Sequence, residues 1–468
     1  MLTRIAIKGF KNLVDTEVRF GAFTCVAGVN GVGKSNLFDV ISFVSDLASH
    51  TIVEAASRVR SLEGGASNPP SSLFARKAGG GWRDIDLSLD FFVPKFVFDD
   101  FKRKATPSTT FLTYKLILRY IPNGESGERI ELVEEKLTYI LKRETEKRIG
   151  FPIGKAFLES VIGGNKRSDY ISTQVEGDTT VVLLHQDQAN GSPSRIPAVT
   201  TPRTVLSTVN TDDRPTALAA RREMQSWSQL QLEPSKLRCP DSFNSDDYVS
   251  SSGEHLPSTL LRLNSFDKIS NLLASLLPNV DGLRVDIDEA RRSRTVYLAQ
   301  RNGEEHAARS LSDGTLRFLA LAVIANDPRA GGVICMEEPE NGIHPARIPA
   351  IVELLKSIAV DVNEPVSDDN PLRQIIINTH SPLVIRNLAI EDLVLAVPMK
   401  LGAMSITTFS AIKGTWRNAV NHGGLTTPPV TQKGLIDYLE NVKIEKNEMT
   451  SELNGLSVAQ WAQAEFGF

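Results

Sequence analysis

Cysteine is scarce in this sequence. Three residues, Cys25, Cys239 and Cys335, are scattered along 468 positions, and no two of them form a CxxC pair. Neither a disulfide framework nor a zinc site is therefore indicated. Two of the three lie in apolar, strand-like segments, where we expect them to act as small buried hydrophobic residues.

Long apolar runs are also missing. No run approaches the ~20 residues that span a bilayer, and the N-terminal stretch MLTRIAIKGFKNL has no signal-peptide hydrophobic region. A hydrophobic content of 41% with 23% charged residues is ordinary for a soluble globular chain. We therefore predict a cytoplasmic protein that does not bind a membrane.

The chain has no excess of positive charge. Its net charge is −4, so any contact with DNA would need a local basic patch. Basic segments occur at 102–104 (KRK), 142–143 (KR) and 291–294 (RRSR). Acidic residues flank two of them, and we interpret all three as solvated turns, which leaves DNA open as a partner.

A glycine-rich segment follows a short apolar strand near the N-terminus. Residues 28–35, GVNGVGKS, match GxxxxGK[ST], and an amphipathic helix is predicted from about Lys34. Glycines let backbone N–H groups approach phosphate oxygens, and the helix N-terminus adds partial positive charge. Lys34 would reach the β- and γ-phosphates, and Ser35 would offer its hydroxyl to Mg²⁺. The predicted nucleotide-binding residues here are Gly28, Asn30, Gly31, Gly33, Lys34, Ser35 and Asn36.

Two adjacent carboxylates follow a buried strand later in the chain. The apolar run 333–336 (VICM) leads directly into Glu337 and Glu338. Such a pair is costly unless a cation meets it, and Mg²⁺ with its nucleotide is the expected cation. We predict that Glu337 holds the metal and that Glu338 polarises the attacking water as general base. Taken alone, a strand that ends in solvated acids is the competing interpretation.

Two further motifs point to the same chemistry. The segment 310–317, SLSDGTLR, precedes a predicted helix, with Ser312 as N-cap and Gly314 allowing close backbone approach. A strand at 374–378 ends in THSP, which places His380 where open α/β sheets bind ligands. Singly, these motifs fit an ordinary capped helix and a loop histidine. Because all four motifs occur in order on suitable elements, together they favour a nucleotide site.

The pattern of elements suggests four regions. Strand-like segments at 84–93, 110–120 and 131–141 without intervening helices predict an antiparallel sheet, and a helical pattern covers 216–230. Alternating helices and strands from 256 predict parallel α/β structure. We divide the chain into an N-terminal lobe with the phosphate loop (1–141), a partly irregular insertion (142–255), a C-terminal lobe with the three later motifs (256–412) and a tail with helical pattern (413–468).

Together these residues resemble the ABC-type ATPases of the SMC/RecF branch. The motifs that carry the resemblance are GVNGVGKS, LSDGT (the signature), VICMEEPENGIHP and NTHSP. Within that branch the chain is similar to the predicted ATPases related to the OLD (overcoming lysogenization defect) proteins, where EEPE…HP and LSDGT are usual. The stretches SWSQLQLEPSKLRCP and LPSTLLRL are also similar. The implied fold class is α/β: a P-loop NTPase head with a mixed sheet, an antiparallel β lobe and an α+β insertion.

The resemblance implies ATP and Mg²⁺ as ligands and Mg²⁺-dependent ATP hydrolysis. It implies a homodimer, or a higher homo-oligomer, in which each ATP lies between one protomer's phosphate loop and the other's signature. Ser312, Asp313 and Gly314 would then bind the nucleotide in trans, and His380 would sense the γ-phosphate. The loop 341–344 would cross the dimer seam, and Asn12 would lie near the nucleotide. The glutamine that usually links ABC nucleotide sites to other domains has no clear match.

The function predicted from the resemblance is an ATP-switched head. OLD proteins carry a C-terminal Toprim nuclease, and the tail after Lys413 has no DxD and no room for such a domain. We therefore expect a separately encoded effector, a nuclease or toxin, in anti-phage defence or DNA repair. The alternatives are the ATPase of a transport or other membrane-associated assembly, against which the long β-rich span argues, and a slow-turnover ATP-dependent scaffold.

Overall fold

The computed structural model describes residues 1–60, 69–77, 79–124, 127–164, 168–187, 191–402, 404–418, 429–431 and 434–435. Its strands are β1 Leu2–Phe10, β2 Leu13–Arg19, β3 Phe23–Ala27, β4 Ile85–Phe92, β5 Val97–Phe98, β6 Lys104–Ala105, β7 Phe111–Gly124, β8 Gly127–Tyr139, β9 Ile171–Glu176, β10 Thr179–Leu184, β11 Ser194–Pro197, β12 Ser228–Leu230, β13 Asp241–Ser242, β14 Val280–Asp288, β15 Ser293–Gln300, β16 Glu305–Ala307, β17 Gly332–Glu337, β18 Arg373–Thr379, β19 Leu393–Leu401 and β20 Met404–Ala411. Its α-helices are α1 Lys34–Leu47, α2 Ile52–Arg58, α3 Thr145–Ile149, α4 Lys155–Val161, α5 Pro215–Gln225, α6 Pro234–Leu237, α7 Leu256–Leu263, α8 Phe266–Leu276, α9 Asp313–Asn326, α10 Ile348–Ile358 and α11 Pro382–Arg386.

A six-stranded sheet forms the centre of the molecule. Its strand order is β12-β17-β18-β3-β19-β20, parallel from β12 to β19 and antiparallel only between β19 and β20. Glu337 pairs with Asn378, and Thr379 pairs with Ala27. The carboxyl ends of β3, β17 and β18 therefore meet at one edge of the sheet, where α/β proteins bind ligands.

The two faces of this sheet belong to two different hydrophobic cores. Along β17, Val333 and Cys335 face the core that contains α1 and the N-terminal strands. Ile334 and Met336 face the opposite core, which contains α9 and α10. Strands that are buried on both faces have continuous apolar sequences. This explains why β3, β17 and β18, which precede the motifs, are so hydrophobic.

An eight-stranded antiparallel sheet covers the first core, in the order β11-β10-β9-β8-β7-β4-β1-β2. Its central strands are the antiparallel segments predicted from the sequence. Strands β9 to β11 extend the sheet, so a part of the chain that we interpreted as an insertion continues it. A smaller sheet contains β13 to β16, and β5 and β6 form a separate hairpin.

The fold class predicted from the sequence is confirmed: an α/β P-loop NTPase head with a mixed sheet and an antiparallel β lobe. One local prediction was wrong, because helix α5 ends at Gln225 and residues 228–230 form β12 instead. Parallel pairing with β17 and burial of Leu230 outweigh the local helical pattern there. The four region boundaries stay a prediction, and most of the tail lies outside the described residues. Among the described helices, none is long and apolar enough to cross a bilayer.

Candidate nucleotide site

The phosphate loop joins β3 to α1 and is preformed. Gly31 and Gly33 have φ angles of 78° and 101°, which L side chains rarely adopt. A Cβ atom on Gly33 would lie 2.5 Å from Asn12 Nδ2, so only glycine fits. Lys34 Nζ donates to the carbonyl oxygens of Gly28 at 2.6 Å and Val29 at 2.9 Å. Burial lowers the pKa of Lys34, although the charges of Glu338 and Glu337 act in the opposite direction.

The two predicted metal-binding residues lie side by side. Ser35 Oγ donates a 3.0 Å hydrogen bond to Glu337 Oε2, although 302 positions separate them in the chain. Hydroxyl and carboxylate oxygens are the donors that Mg²⁺ prefers, and Mg²⁺ commonly completes its shell with phosphate and water. No cluster of three or more His, Cys, Asp or Glu suited to a metal occurs among the described residues. The pair therefore fits a metal brought in with a nucleotide.

The second oxygen of Glu337 is held by two residues that the sequence analysis missed. Arg60 NH2 lies 2.6 Å from Glu337 Oε1, and Gln229 Nε2 donates to the same oxygen at 2.8 Å. Arg60 is oriented by Asp39, whose Oδ1 accepts from Arg60 Nε at 2.9 Å. In this structure, therefore, the cation that pairs with the carboxylate at the end of β17 is the guanidinium of Arg60.

Gln229 is the more informative of these two residues. It lies on β12, opposite Cys335 of the carboxylate strand, and it contacts both Glu337 and, through a 3.4 Å hydrogen bond from Ser42, helix α1. The sequence analysis found no clear match for the glutamine that usually links ABC nucleotide sites to other domains, and it did not single out Gln229. The available signal was its place in SWSQLQ, a polar residue between the buried Trp227 and Leu230.

Glu338 is held in an unusual backbone conformation. Its φ angle is 44°, a region that costs a non-glycine residue about 1–3 kcal/mol and occurs often at functional sites. Its N–H donates to Asn378 O at 2.9 Å, which fixes the turn. The carboxylate lies 2.6 Å from His380 Nδ1 and accepts from Asn341 Nδ2 at 2.9 Å.

The electrostatic surroundings keep Glu338 ionised. Burial raises the pKa of its carboxyl group, but hydrogen bonds from Asn341 and His380 and the charge of Lys34 outweigh burial, so the pKa lies below its ordinary value. Beside it, burial raises the pKa of Glu340, whose Oε1 accepts from the Thr379 hydroxyl.

Two buried polar atoms at this sheet edge have no hydrogen-bond partner among the residues that the structure describes. They are Glu340 Oε2 and Asn378 Nδ2. A buried polar atom without a partner costs free energy, and such atoms concentrate where a ligand completes the structure. With the Ser35–Glu337 pair, they support the fit of this edge to a nucleotide with its metal.

The signature residues lie at the start of α9. Ser312 caps α9, its Oγ accepting from Thr315 N at 3.2 Å, and both Ser312 and Asp313 are exposed. A Cβ atom on Gly314 would lie 3.3 Å from Gly342 O, so the signature contacts the loop after the carboxylates. Arg238, which was also missed, donates to Leu311 O at 3.1 Å and pairs with Asp313.

Asn12 supports the phosphate loop from behind. Its Nδ2 donates to Thr407 Oγ1 at 2.8 Å, and its Oδ1 accepts from Asn36 Nδ2 at 2.6 Å. Asn30 and Gly31 are exposed at the loop tip. The structure therefore unites Lys34, Ser35, Glu337, Glu338 and His380 in one cluster and places Asn12 and Asn36 beneath the loop. Ser312 and Asp313 are exposed, and Gly314 packs against the loop that follows the carboxylates. The binding roles of these residues stay predictions.

Comparison with known proteins adds a family match. Residues 230–386 match the family described as "AAA domain, putative AbiEii toxin, Type IV TA system". The matched segment contains the signature, the carboxylate strand and His380, and the phosphate loop precedes it. No curated protein matches the chain significantly. The match supports the predicted ATPase character, while a relation to the OLD group stays a prediction.

Similar solved structures include heads of SMC proteins. One, titled as the SmcHead bound to the C-winged helix domain of ScpA, is 13% identical with a TM-score of 0.44 and covers 88% of this chain and 98% of that chain. A second, from Pyrococcus furiosus and bound to the C-terminal domain of ScpA, is 11% identical with a TM-score of 0.42 and coverage of 88% and 96%. The SMC head domain from Thermotoga maritima is 11% identical with a TM-score of 0.37 and coverage of 87% and 97%. At these TM-scores the similarities carry no argument about function.

Proposed function

We propose that this chain, an ABC-type ATPase head of the SMC/RecF kind, binds and hydrolyses ATP and dimerises around it to switch a partner protein. One observation carries the proposal: three motifs distant in sequence meet at one sheet edge. Ser35 Oγ lies 3.0 Å from Glu337 Oε2, and His380 Nδ1 lies 2.6 Å from the neighbouring Glu338. A hydroxyl, two carboxylates and a histidine around a phosphate loop are the groups that ATP hydrolysis needs.

Different residues of the cluster would bind different parts of Mg²⁺–ATP. The backbone of the loop 28–35 would hold the phosphates, and Ser35 and Glu337 would hold Mg²⁺. When bound, Mg²⁺ would offset the negative charge of the β- and γ-phosphate oxygens. Lys34 would exchange its contacts with the Gly28 and Val29 carbonyl oxygens for phosphate oxygens, which completes the cradle.

Hydrolysis requires a base for the attacking water. As the water oxygen bonds to the γ-phosphorus of ATP, the bond to the leaving β-phosphate oxygen breaks, and Glu338 accepts the water proton. Asn341 and His380 hold the Glu338 carboxylate in position. The strained backbone of Glu338 is consistent with a side chain placed for chemistry rather than for stability.

The exposed signature supports dimerisation in trans. Ser312 and Asp313 are exposed at the N-terminus of α9, where Ser312 contacts Thr315 and Asp313 pairs with Arg238. A helix N-terminus with free N–H groups attracts an anion. A second copy arranged head to tail would place this terminus on the phosphates held by the first, with the adjoining loop 341–344 at the seam.

For the pathway we propose anti-phage defence in the cytoplasm. The match of residues 230–386 to the family described as "AAA domain, putative AbiEii toxin, Type IV TA system" is compatible with such a role. A separately encoded effector, a nuclease or toxin, would then be switched by ATP binding and hydrolysis in the head. Work in DNA repair is the alternative pathway for the same switch.

A turnover assay tests the enzyme assignment. Lys34→Ala is expected to lose ATP binding, whereas Glu338→Gln is expected to bind ATP and to hydrolyse it about 10²–10⁴-fold more slowly, as for loss of a general base. Glu353→Gln, an exposed glutamate on α10, is the matched control and is expected to behave like wild type. Normal turnover by Glu338→Gln would show that Glu338 is not the base.

A mixing experiment tests the trans arrangement. Lys34→Ala and Ser312→Arg would each be inactive alone. In a head-to-tail dimer of the two, one composite site combines the intact phosphate loop of one chain with the intact signature of the other. Mixing is therefore expected to restore turnover, and a mixture no more active than its components would argue that the signature acts within one chain or not at all.

A further inference from the structure

The hairpin formed by β5 and β6 exposes an unusual set of side chains. We call residues 95–104, KFVFDDFKRK, the aromatic–basic hairpin. Phe96, Phe98 and Phe101 are 48%, 53% and 71% exposed. Single exposed hydrophobic residues are normal on soluble proteins, but a contiguous group commonly marks an interaction site.

The exposure of these rings is built into the fold. Val97 and Ala105 pair across the hairpin and are buried in the first core. Side chains alternate between the faces of a strand, so Phe96 and Phe98 must point outward. The tip is fixed as well, because the buried Asp99 accepts from the backbone N–H groups of Phe101 at 2.9 Å and Arg103 at 2.8 Å.

Ion pairs attach the hairpin to its surroundings. Asp100 pairs with Arg222 of α5, and Arg103 NH2 lies 2.8 Å from Asp212. Both acids of the hairpin are therefore matched, since Asp99 also pairs with Arg103. The rings are held out on a rigid support rather than on a loose loop.

Two cations of the hairpin lie against the rings. Lys104 Nζ lies 4.2 Å from the ring centroid of Phe96, and the Arg103 guanidinium lies 5.4 Å from that of Phe101. Lys102 has no ion-pair partner in the described part of the chain, and Lys95 bonds only a backbone oxygen there. The aromatic faces and an excess of positive charge thus occupy one surface.

We propose that the aromatic–basic hairpin binds single-stranded nucleic acid. Unpaired bases stack on exposed aromatic rings, and lysines between those rings hold the phosphates. Duplex bases present no free faces, so the rings would not be used. An apolar protein pocket or lipid chains would have to bury the cations stacked on Phe96 and Phe101, which costs free energy. A single nucleic-acid strand would instead stack its bases on the rings and place its phosphates beside the cations.

The proposed binding changes the interpretation of the basic segment 102–104. From the sequence it was interpreted as a solvated turn, and Asp99 and Asp100 precede it. The structure shows that those aspartates are occupied by Arg103 and Arg222. The binding proposed here needs no ATP, so it is tested without nucleotide and stands or falls independently of the proposed ATPase function.

Fluorescence anisotropy with labelled oligo(dT) and oligo(U) of about 20 nucleotides tests the proposal at low and moderate salt. Wild type is expected to bind both single strands in preference to a duplex of the same length, with affinity falling as salt rises. Phe98→Ala/Phe101→Ala is expected to weaken binding at least about tenfold. Lys102→Gln/Lys104→Gln is expected to weaken binding and to flatten the salt dependence. Tyr248→Ala and Lys268→Gln, at positions 52% and 70% exposed elsewhere, are the controls and are expected to bind like wild type.

A photocrosslinkable single strand, mapped on the wild-type protein, is expected to label residues 95–104, which tests the site without any substitution. Absence of single-strand binding at low salt would overturn the proposal, as would unchanged binding by both hairpin variants. Crosslinks only outside the hairpin would overturn it too. Hairpin-dependent binding to anionic vesicles without binding to single strands would replace nucleic acid by a membrane surface as the partner.

Discussion

Replacing Arg60 tests whether the Arg60 guanidinium and Mg²⁺ compete for the carboxylate of Glu337. Arg60 lies 2.6 Å from Glu337 Oε1, and Glu337 would be a ligand of Mg²⁺, so the guanidinium and the metal compete for one carboxylate. Arg60→Ala removes the competitor and leaves Gln229 and Ser35 on Glu337. We therefore expect Mg²⁺ to be needed at a lower concentration for ATP binding.

The expected effect is modest because the ion pair is partly solvated. Arg60 is 41% exposed and Glu337 23%, so the pair is worth about 0.5–1 kcal/mol. That corresponds to a twofold to fivefold decrease, roughly, in the Mg²⁺ concentration at half-saturation. The assay is a Mg²⁺ titration at fixed fluorescent ATP analogue, followed by its emission.

A neighbouring arginine provides the control for this experiment. Arg58 ends α2 and pairs with Asp46 at 3.0 Å, away from Glu337, so Arg58→Ala is expected to leave the titration unchanged. An unchanged or increased Mg²⁺ requirement in Arg60→Ala would refute the competition. It would mean instead that Arg60 assists the bound nucleotide.

Two further predictions concern the loop and the core. Gly33→Ala is expected to abolish ATP binding, since its Cβ would lie 2.5 Å from Asn12 Nδ2 at a φ of 101°; calorimetry that finds wild-type affinity would contradict the loop geometry. Burial raises the pKa of Glu135 to about 7, against hydrogen bonds from Leu206, Val205 and Tyr114. Because the folded state then binds the proton more tightly than the unfolded state, stability is expected to fall by about 3 kcal/mol as pH rises from about 4.5 to about 7, and then to level off. Urea unfolding should show this trend in wild type and lose it in Glu135→Gln; an equal trend in both proteins would exclude Glu135 as the cause.

Local sequence patterns were sufficient to predict the site residues that directly follow an apolar strand. The phosphate loop, Glu337, Glu338 and His380 each stand directly after an apolar strand. Parallel strands bring such ends to one sheet edge, so their meeting was predictable from the motifs and the fold class. The match to residues 230–386 covers the last three of these.

Residues that act through distant contacts were not predictable. Gln229 lies 108 positions from Glu337, and Arg238 lies 75 positions from Asp313. No pattern of hydrophobicity marks Arg238, and the pattern around Gln229 does not identify its partner, because both partners are fixed by strand pairing and loop path. Strands β5 and β6, of two residues each, are also too short to produce a periodic signal.

The backbone of Glu338 shows a related limit. A positive φ at a glutamate opposes local preference, and the hydrogen bonds from its N–H to Asn378 O and from Asn341 N to its carbonyl oxygen stabilise it. Tertiary structure therefore decides the orientation of the proposed base. The sequence could indicate which residue carries the chemistry but not how the side chain is aimed.

The mass of the Glu338→Gln protein in solution tests the central proposal most directly. With slow hydrolysis, ATP and Mg²⁺ should hold two heads together, and light scattering should give twice the chain mass of 51.3 kDa. The same protein without ATP, and Glu338→Gln combined with Ser312→Arg, should give the single-chain mass. A single-chain mass for Glu338→Gln at saturating ATP would contradict an ATP-switched dimer.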